Sequence, residues 1–385
     1  MRVKLSRRAR WAVPGAAVAV TAVTVAALQI PAAQASPNLP DKTPAQLLAS
    51  ISSDQKVPPM TGTVVETASL GLPQLPQTGN PTSMASLLTG SHTVKVYYQD
   101  GTHYRLAIPQ PGSETDVVAN GAKLWLWQSS GNSVTEFTQP TDQAKAKAKA
   151  KLPQTPLTPQ QAADQVLAKV GQTTLVSVQA NVMVAGEPSY ELVLAPKDSR
   201  SLVGKVVIAV DGKYGVPLRV QLFAKGAGSP AFQVGYTALQ WVTPDPANFS
   251  FTTPKGASVD VVNLGSEAAK SGASKPDTSG VGSYGKSWLT VVSLPQKDLM
   301  QGFGTAAGGP GKQQDIASAN SKGVGVSSSE LLNALLGSAK PVSGSWGSGT
   351  LVTTSLVSML MTGGQVYIGA VAPSVLYAAV GHTTS

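Results

Sequence analysis

Residues 174–222 read TLVSVQANVMVAGEPSYELVLAPKDSRSLVGKVVIAVDGKYGVPLRVQL, and their alternation decides the fold. Val176, Val178, Ala180, Val182 and Val184 share one parity. Tyr190, Leu192 and Leu194 repeat the pattern, followed by Val206, Ile208 and Val210. Asp211-Gly212 then marks a tight turn before Leu218, Val220 and Leu222. Successive side chains on a strand point to opposite faces, so each run is a strand with one apolar face. Phe232, Val234 and Tyr236 add a further strand before Trp241. Short strands joined by tight turns, with one face apolar, make an antiparallel sheet.

The same grammar extends towards the N-terminus. Thr61–Thr67 reads as a strand, and Val94–Tyr98 leads through Asp100-Gly101 to Tyr104, Leu106 and Ile108. Val117-Val118, Asn120-Gly121 and Leu124–Trp127 form the next hairpin, and Val134–Phe137 closes the run. Two helices are signalled by Thr-Pro pairs, a side-chain cap followed by proline at the first helical position. Thr43-Pro44 precedes Leu47, Leu48 and Ile51; Thr158-Pro159 precedes Ala162, Val166, Leu167 and Val170. A sheet this large with so few helices must curl into a barrel or be capped.

Three tracts interrupt the pattern. Residues 69–90 combine breakers (Pro73, Pro76, Gly79, Pro81) with Leu70, Leu72, Leu75, Met84, Leu87 and Leu88. A plain surface loop is more polar, so this segment is expected to pack, either as a lid over a barrel mouth or as a static plug. Residues 143–151 alternate Ala and Lys, which reads as a solvated helix or linker or as a basic patch that touches anionic lipid. Residues 263–283, rich in Gly, Ser and Lys, read as a linker to a smaller unit at 284–380. In that unit a strand is expected at Trp288–Leu294, a Gly-rich loop at 302–325 and a helix at Ser328–Leu336. Strands at 350–360 and 365–371 and a final helix from Pro373 follow.

The net charge of +9 is concentrated at the start of the chain. Arg2, Lys4, Arg7, Arg8 and Arg10 supply five of these charges, and residues 1–35 hold no acidic residue, leaving +4 for the rest. That balance is no nucleic-acid signature. Behind the charged residues lies an Ala/Val-rich stretch over 11–30, then Ala33-Gln34-Ala35 before Ser36. This is the layout of an export signal cut after Ala35, or of an uncleaved anchor; both put the remainder outside the cytoplasm, secreted or associated with the envelope.

Motifs of chemistry are sparse. Cysteine is absent, which excludes disulfides, thiolate metal sites, a Cys nucleophile and a lipidated Cys. His92, His103 and His382 are scattered without metal-ligand spacing, and no Gly-x-Ser-x-Gly elbow occurs. Gly302-Phe303-Gly304 with Ala307 mimics a dinucleotide fingerprint but lacks the preceding strand and βαβ setting. Gly311-Lys312 lacks the rest of a phosphate loop. Glu66, Glu114, Asp116, Glu136 and Glu191 lie in or beside strands, and spacing does not pair them into an acid–base couple. The expectation is a non-enzymatic protein without cofactor or metal.

Three segments resemble the LolA/RseB-like superfamily of periplasmic lipoprotein carriers and sensors. Thr115–Trp127 (TDVVANGAKLWLW) is similar to its strand, Gly turn and strand ending in Leu-Trp, with Asn120-Gly121-Ala122 in place of Asp-Gly-Lys. Tyr190–Pro196 (YELVLAP) is similar to its Leu-x-Pro corner. Ala247–Val259 (ANFSFTTPKGASV), the most specific of the three, is similar to its closing Phe-x-Phe-x-x-Pro-x-Gly-x-x-Val. Thr362–Val375 (TGGQVYIGAVAPSV) also looks like the end of the small α+β domain of the two-domain sensors.

The resemblance implies an α+β fold: an incomplete antiparallel β-barrel with a helical lid over roughly 41–262, plus a small C-terminal α+β module. It implies an apolar cavity for an acyl chain, lipid or lipoprotein. Candidate lining residues are Leu72, Leu75, Met84, Leu87 and Leu88 of the inserted segment, with Trp125, Trp127, Val178, Val182, Leu192, Leu194, Ile208, Val220, Leu222, Phe232 and Val234 of the strands. Three roles remain open at this point. A carrier or chaperone would work with an ABC transporter. A regulatory sensor would hold an anti-sigma factor or another envelope partner. A structural envelope protein would fill its own barrel. Membrane-surface contact is compatible with each; nucleic acid is not an expected partner.

Overall fold

The computed structural model describes residues 37–52, 57–69, 89–138, 158–161, 163, 171–263, 280–298, 337 and 339–382. The export segment with Ala33, Ala35 and Ser36, most of the inserted segment, the Ala/Lys tract, the loop at 302–325 and the helix expected at Ser328–Leu336 lie outside the described residues.

The chain opens with helix α1 (Pro44–Ser52). Its start is a reciprocal capping box: the Gln46 amide donates to Thr43 Oγ1 at 3.2 Å, and the Thr43 amide donates to Gln46 Oε1 at 2.8 Å. Leu47 and Ile51 bury its apolar face. Thr158 and Gln161 form the same reciprocal cap at the second Thr-Pro pair.

The strands are β1 (Met60–Ser69), β2 (Thr89–Asp100), β3 (His103–Gln110), β4 (Ser113–Asn120), β5 (Lys123–Gln128) and β6 (Ser133–Thr138). After them come β7 (Thr174–Val184), β8 (Glu187–Pro196), β9 (Val203–Asp211), β10 (Pro217–Ala224), β11 (Phe232–Gln240) and β12 (Ser258–Asn263). They form one twelve-stranded sheet in the order β12-β6-β5-β4-β3-β2-β1-β11-β10-β9-β8-β7. Two meanders, β1–β6 and β7–β11, are thus joined where β1 pairs with β11. The sheet is open, with β12 and β7 as its edges.

Three details differ from the sequence reading. The β12–β6 pair is parallel, from Ser258↔Ser133 to Asn263↔Thr138, so the sheet is not wholly antiparallel. An extra residue between Gln179 and Val182 shifts the register of β7 on β8: Val176 and Val178 pair with Leu194 and Leu192 and Val182 with Ser189, while all three, with Val184, still pack on one core. The outer face of β8–β10 is also apolar, because Val193, Val207 and Phe223 form a buried cluster there, with Lys205 Nζ 4.8 Å from the Phe223 ring centre.

A second sheet contains β13 (Gly282–Tyr284), β14 (Val291–Pro295), β15 (Lys340–Gly344), β16 (Gly347–Thr353), β17 (Ser358–Thr362) and β18 (Gln365–Gly369), in the order β13-β14-β18-β17-β16-β15. Helix α2 (Pro373–Ala379) lays Val375, Leu376 and Ala379 on Val291, Leu360 and Tyr367. The expected strand at 350–360 is two strands, split where Thr354 Oγ1 accepts from the amides of Leu356 and Val357. Trp288 sits in a 3-10 turn before β14, and β13 begins inside the stretch read as a linker.

The two sheets are bonded to each other. The Leu202 amide donates to Ala370 O at 2.9 Å, and the Ala372 amide donates to Arg200 O at 2.7 Å. Trp288 Nε1 donates to Thr174 Oγ1 at 2.8 Å. These contacts account for the Gly-Ala-Val-x-Pro corner: Ala370–Ala372 must run extended beside Arg200–Leu202 before Pro373 starts α2. Among the described residues, no helix is long and apolar enough to cross a membrane.

Candidate functional site

The inner face of the long sheet is divided between a filled core and a cavity. The core is built from β8–β11 with Val64, Val94 and Ile108, closed by Leu47 and Ile51 of α1. The cavity, of about 340 Å³, lies over β2–β6. That size is at the small end of the range for ligand-binding clefts.

Its wall follows from strand parity. Leu124 and Leu126 of β5 point inward, and their partners Ala119 and Val117 on β4 do the same. Phe137 of β6 faces Leu124, and Leu106 of β3 faces Val117. Val96 and Tyr98 of β2, Tyr104 of β3 and Met60 of β1 complete the floor. Val57, Thr158, Gln160, Gln161, Val216, Pro217 and Tyr236 close it from the sides, and Gly101 lies at its rim.

Two local devices hold these walls. The first is the Asp211-Gly212 turn. Asp211 is buried, and its Oδ1 accepts the amides of Lys213 and Tyr214, which aims the chain so that Val216 and Pro217 reach the cavity. Burial pushes the Asp211 carboxyl up despite those bonds. The second is Gly62. A Cβ there would stand 2.9 Å from the Tyr236 ring and from Ala238 O, so glycine lets the ring lie flat on β1. The Tyr236 hydroxyl then points at Met60 Sδ, 3.7 Å away.

The wall is neutral. Burial pushes the phenols of Tyr104 and Tyr236 up, and burial followed by the nearby Asp100 charge does the same to Tyr98. Among the described lining residues there is no carboxylate, imidazole, amine or guanidinium. Charges are placed elsewhere. On the outer face Arg105 pairs with Asp116, Lys123 with Glu136 at 2.8 Å and Arg219 with Glu191 at 2.8 Å. Burial outweighs the Arg105 guanidinium and pushes the Asp116 carboxyl up. Glu66 and His92, both buried, face each other across β1 and β2 on the inner side, beyond Val64 and Val94. Among the described residues, no group of three or more His, Asp or Glu could hold a metal ion.

None of the described residues expected from the sequence is among those that line this cavity. Leu192, Leu194, Ile208, Val220 and Val234 are buried in the filled core, and Val178, Val182, Leu222 and Phe232 pack against it. Trp125 and Trp127 lie on the outer face, because they alternate with the inward Leu124 and Leu126. Trp125 Nε1 donates to Glu136 Oε2 at 3.1 Å, and its ring stacks on Phe251 with centres 5.6 Å apart. Leu72, Leu75, Met84, Leu87 and Leu88 are outside the described residues. The sequence reading missed Tyr98, Tyr104, Leu106, Val117, Leu124, Leu126, Phe137 and Tyr236 as lining. The sequence signal is that the strand residues among them share one face across neighbouring hairpins, which does not by itself say that this face is the inward one.

The outer face has its own cover, which explains the Phe-x-Phe segment. After β11 the chain crosses β3–β6 on the side away from the cavity. Phe249 is buried there; its carbonyl accepts from Asn120 Nδ2 at 3.2 Å and its ring meets His103 edge-on. Phe251 covers Trp125, and the Lys255 carbonyl accepts from Asn132 Nδ2 at 3.3 Å. Gly256 then takes φ +74°, a conformation that favours glycine, and the strap turns into β12.

No family model and no curated protein matches the chain. Among solved structures it is similar to the Pseudomonas aeruginosa MucA/MucB complex, at 14% identity and TM-score 0.38, over 88% of this chain and 95% of that one. It is similar to an uncharacterized conserved protein from Thermus thermophilus, at 12% identity and TM-score 0.31, over 57% of this chain and 97% of that one. It is also similar to a LolA superfamily protein from Nitrosomonas europaea, at 13% identity and TM-score 0.22, over 55% of this chain and 99% of that one. The architecture itself rests on the strand pairing given above.

Proposed function

We propose that this chain binds an acyl chain, lipid or lipoprotein acyl group in the cavity over β2–β6, as a non-enzymatic carrier or chaperone outside the cytoplasm. The observation that carries the reading is the neutral, largely apolar cavity of about 340 Å³ on the inner face. Burying a methylene contributes about 0.8 kcal/mol, so about 12 of them contribute on the order of 10 kcal/mol before ordering costs. The N-terminal charge and apolar pattern supports export. Native mass spectrometry of the protein purified from its own envelope tests the reading. A co-purifying acyl compound is expected; a ligand-free protein that also ignores fluorescent acyl probes sinks it.

A second reading, a sensor that releases an anti-sigma factor or another envelope partner, is favoured by the bonding of the second sheet to Arg200–Leu202. In a sensor, acyl binding changes amide exchange at Leu202 and Ala372. In a carrier those amides exchange alike with and without ligand.

A further inference from the structure

We propose that the seam between the two sheets carries a basic surface that docks on the anionic phospholipid headgroups of a bilayer. This surface is separate from the cavity, so it does not depend on an acyl ligand. Its floor is the outer face of β7–β10. Leu175 pairs with Ala195 there, and Lys205 pairs with Phe223. The β8–β9 register, with Leu194 against Val206, sets the two pairs in one cross-strand row. Val193 and Val207 support the Phe223 ring from the same face, and Lys205 lies over that ring. Leu175 is 56% exposed at the edge strand.

The loops at the seam add cations to that row. The Lys197 amide donates to Thr173 O at 3.0 Å, and Thr173 Oγ1 donates to Ser287 Oγ at 2.8 Å, so the chain at Lys197 and the chain at Lys286 meet at one residue. Lys225 Nζ donates to Ser199 O at 2.6 Å, beside Arg200. Residues 195–205, 223–230 and 284–290 hold five cations, Lys197, Arg200, Lys205, Lys225 and Lys286, against one carboxylate, Asp198. Asp198 is committed to Arg200 at 2.7 Å, and among the described residues none of the four lysines is in an ion pair. Lys197, Lys225 and Lys286 are exposed. Four unpaired ammonium groups on long stems suit phosphate diesters, each contributing about fivefold to partition onto an anionic bilayer. Leu175 decides for a bilayer over an acidic polypeptide, because an exposed apolar side chain among lysines enters the headgroup layer while the cations stay at its surface.

The test is cosedimentation of the purified exported chain with vesicles of phosphatidylcholine alone and of phosphatidylcholine mixed with phosphatidylglycerol. At low salt the anionic vesicles are expected to bind at least about tenfold more tightly, and high salt is expected to remove the difference. Lys197→Gln combined with Lys286→Gln should weaken that binding about tenfold or more. Lys297→Gln combined with Lys340→Gln removes the same charge just past β14 and on β15, away from the seam, and should weaken it by less than about threefold. Leu175→Ser should weaken binding without altering its salt dependence. Equal binding to both kinds of vesicle overturns the proposal. So does an equal loss in the two double variants, which makes net charge rather than the seam the cause. Salt-sensitive binding of polyglutamate without binding of either vesicle also overturns it and assigns the surface to an acidic polypeptide.

Discussion

Replacing Gly62 with alanine tests the coupling between the sheet and the cavity. The added Cβ would lie 2.9 Å from Ala238 O and 2.9 Å from two atoms of the Tyr236 ring, closer than carbon atoms pack. Ala238 O belongs to β11, paired with β1 through Gly62↔Leu239 and Thr63↔Ala238, so it yields only by bending the ladder. The ring has a softer escape, because Tyr236 borders the cavity. Overpacking of this kind costs about 1–3 kcal/mol. Gly62→Ala is therefore expected to lower the unfolding free energy by that amount, read as a lower urea midpoint at unchanged slope. It should also weaken a neutral acyl dye, because the displaced ring takes up cavity space. Tyr236→Phe is the companion: it keeps the ring and should leave dye binding within about twofold, since only the contact of its hydroxyl with Met60 Sδ is lost. A Gly62→Ala protein with unchanged midpoint and unchanged dye affinity would refute the packing argument.

Other substitutions separate core, wall and interface. Leu192→Ala, at a fully buried position, should cost about 2–5 kcal/mol of stability, while Leu126→Asn should cut acyl-dye affinity by about tenfold or more at a smaller stability loss; equal effects on both readouts would erase the distinction drawn between them. Asp211→Asn keeps an acceptor for the Lys213 and Tyr214 amides but removes a buried charge. Because the folded carboxyl is raised above its unfolded value of about 3.9, the native aspartate loses stability as pH rises from there to the raised value; the asparagine protein should be the more stable at neutral pH and lose that advantage below about pH 4, as read from urea midpoints across pH. Trp288→Phe removes the donor to Thr174 Oγ1 and should cost about 0.5–1.5 kcal/mol in thermal or urea unfolding.

The strands and turns were legible because the local signals agree with the global fold. Asp100-Gly101, Asn120-Gly121 and Asp211-Gly212 all sit at turns, and the Thr-Pro pairs both cap helices. The identity of the inward face was not legible, and the reason is physical. Alternation tells which residues share a face; it does not tell which face is covered by what. Here both faces of β5 are apolar, Leu124 and Leu126 on one side and Trp125 and Trp127 on the other. The sequence reading offered the tryptophans as candidate lining without fixing which strand face turns inward. The cover of Trp125 is Phe251 of the strap, more than a hundred residues downstream.

That strap also explains the parallel edge. A chain returning by a hairpin would pair antiparallel with its neighbour. The strap instead crosses the outer face from the far end of β11 and enters beside the start of β6, so β12 must run in the same direction as β6. Asn132 fixes the entry: its carbonyl accepts the Ser258 amide at 3.0 Å and its side chain holds Lys255 O. The closing Phe-x-Phe-x-x-Pro-x-Gly segment is therefore a device for covering one face of the sheet, and it leaves the other face free to be hollow. With the aromatic cover, the ion pairs and the Trp125–Glu136 bond all committed to the outer side, the inner wall over β2–β6 is left with aliphatic side chains and neutral phenols. The division of labour between the two faces, rather than any single residue, is what leaves the described wall of the cavity without a charged side chain.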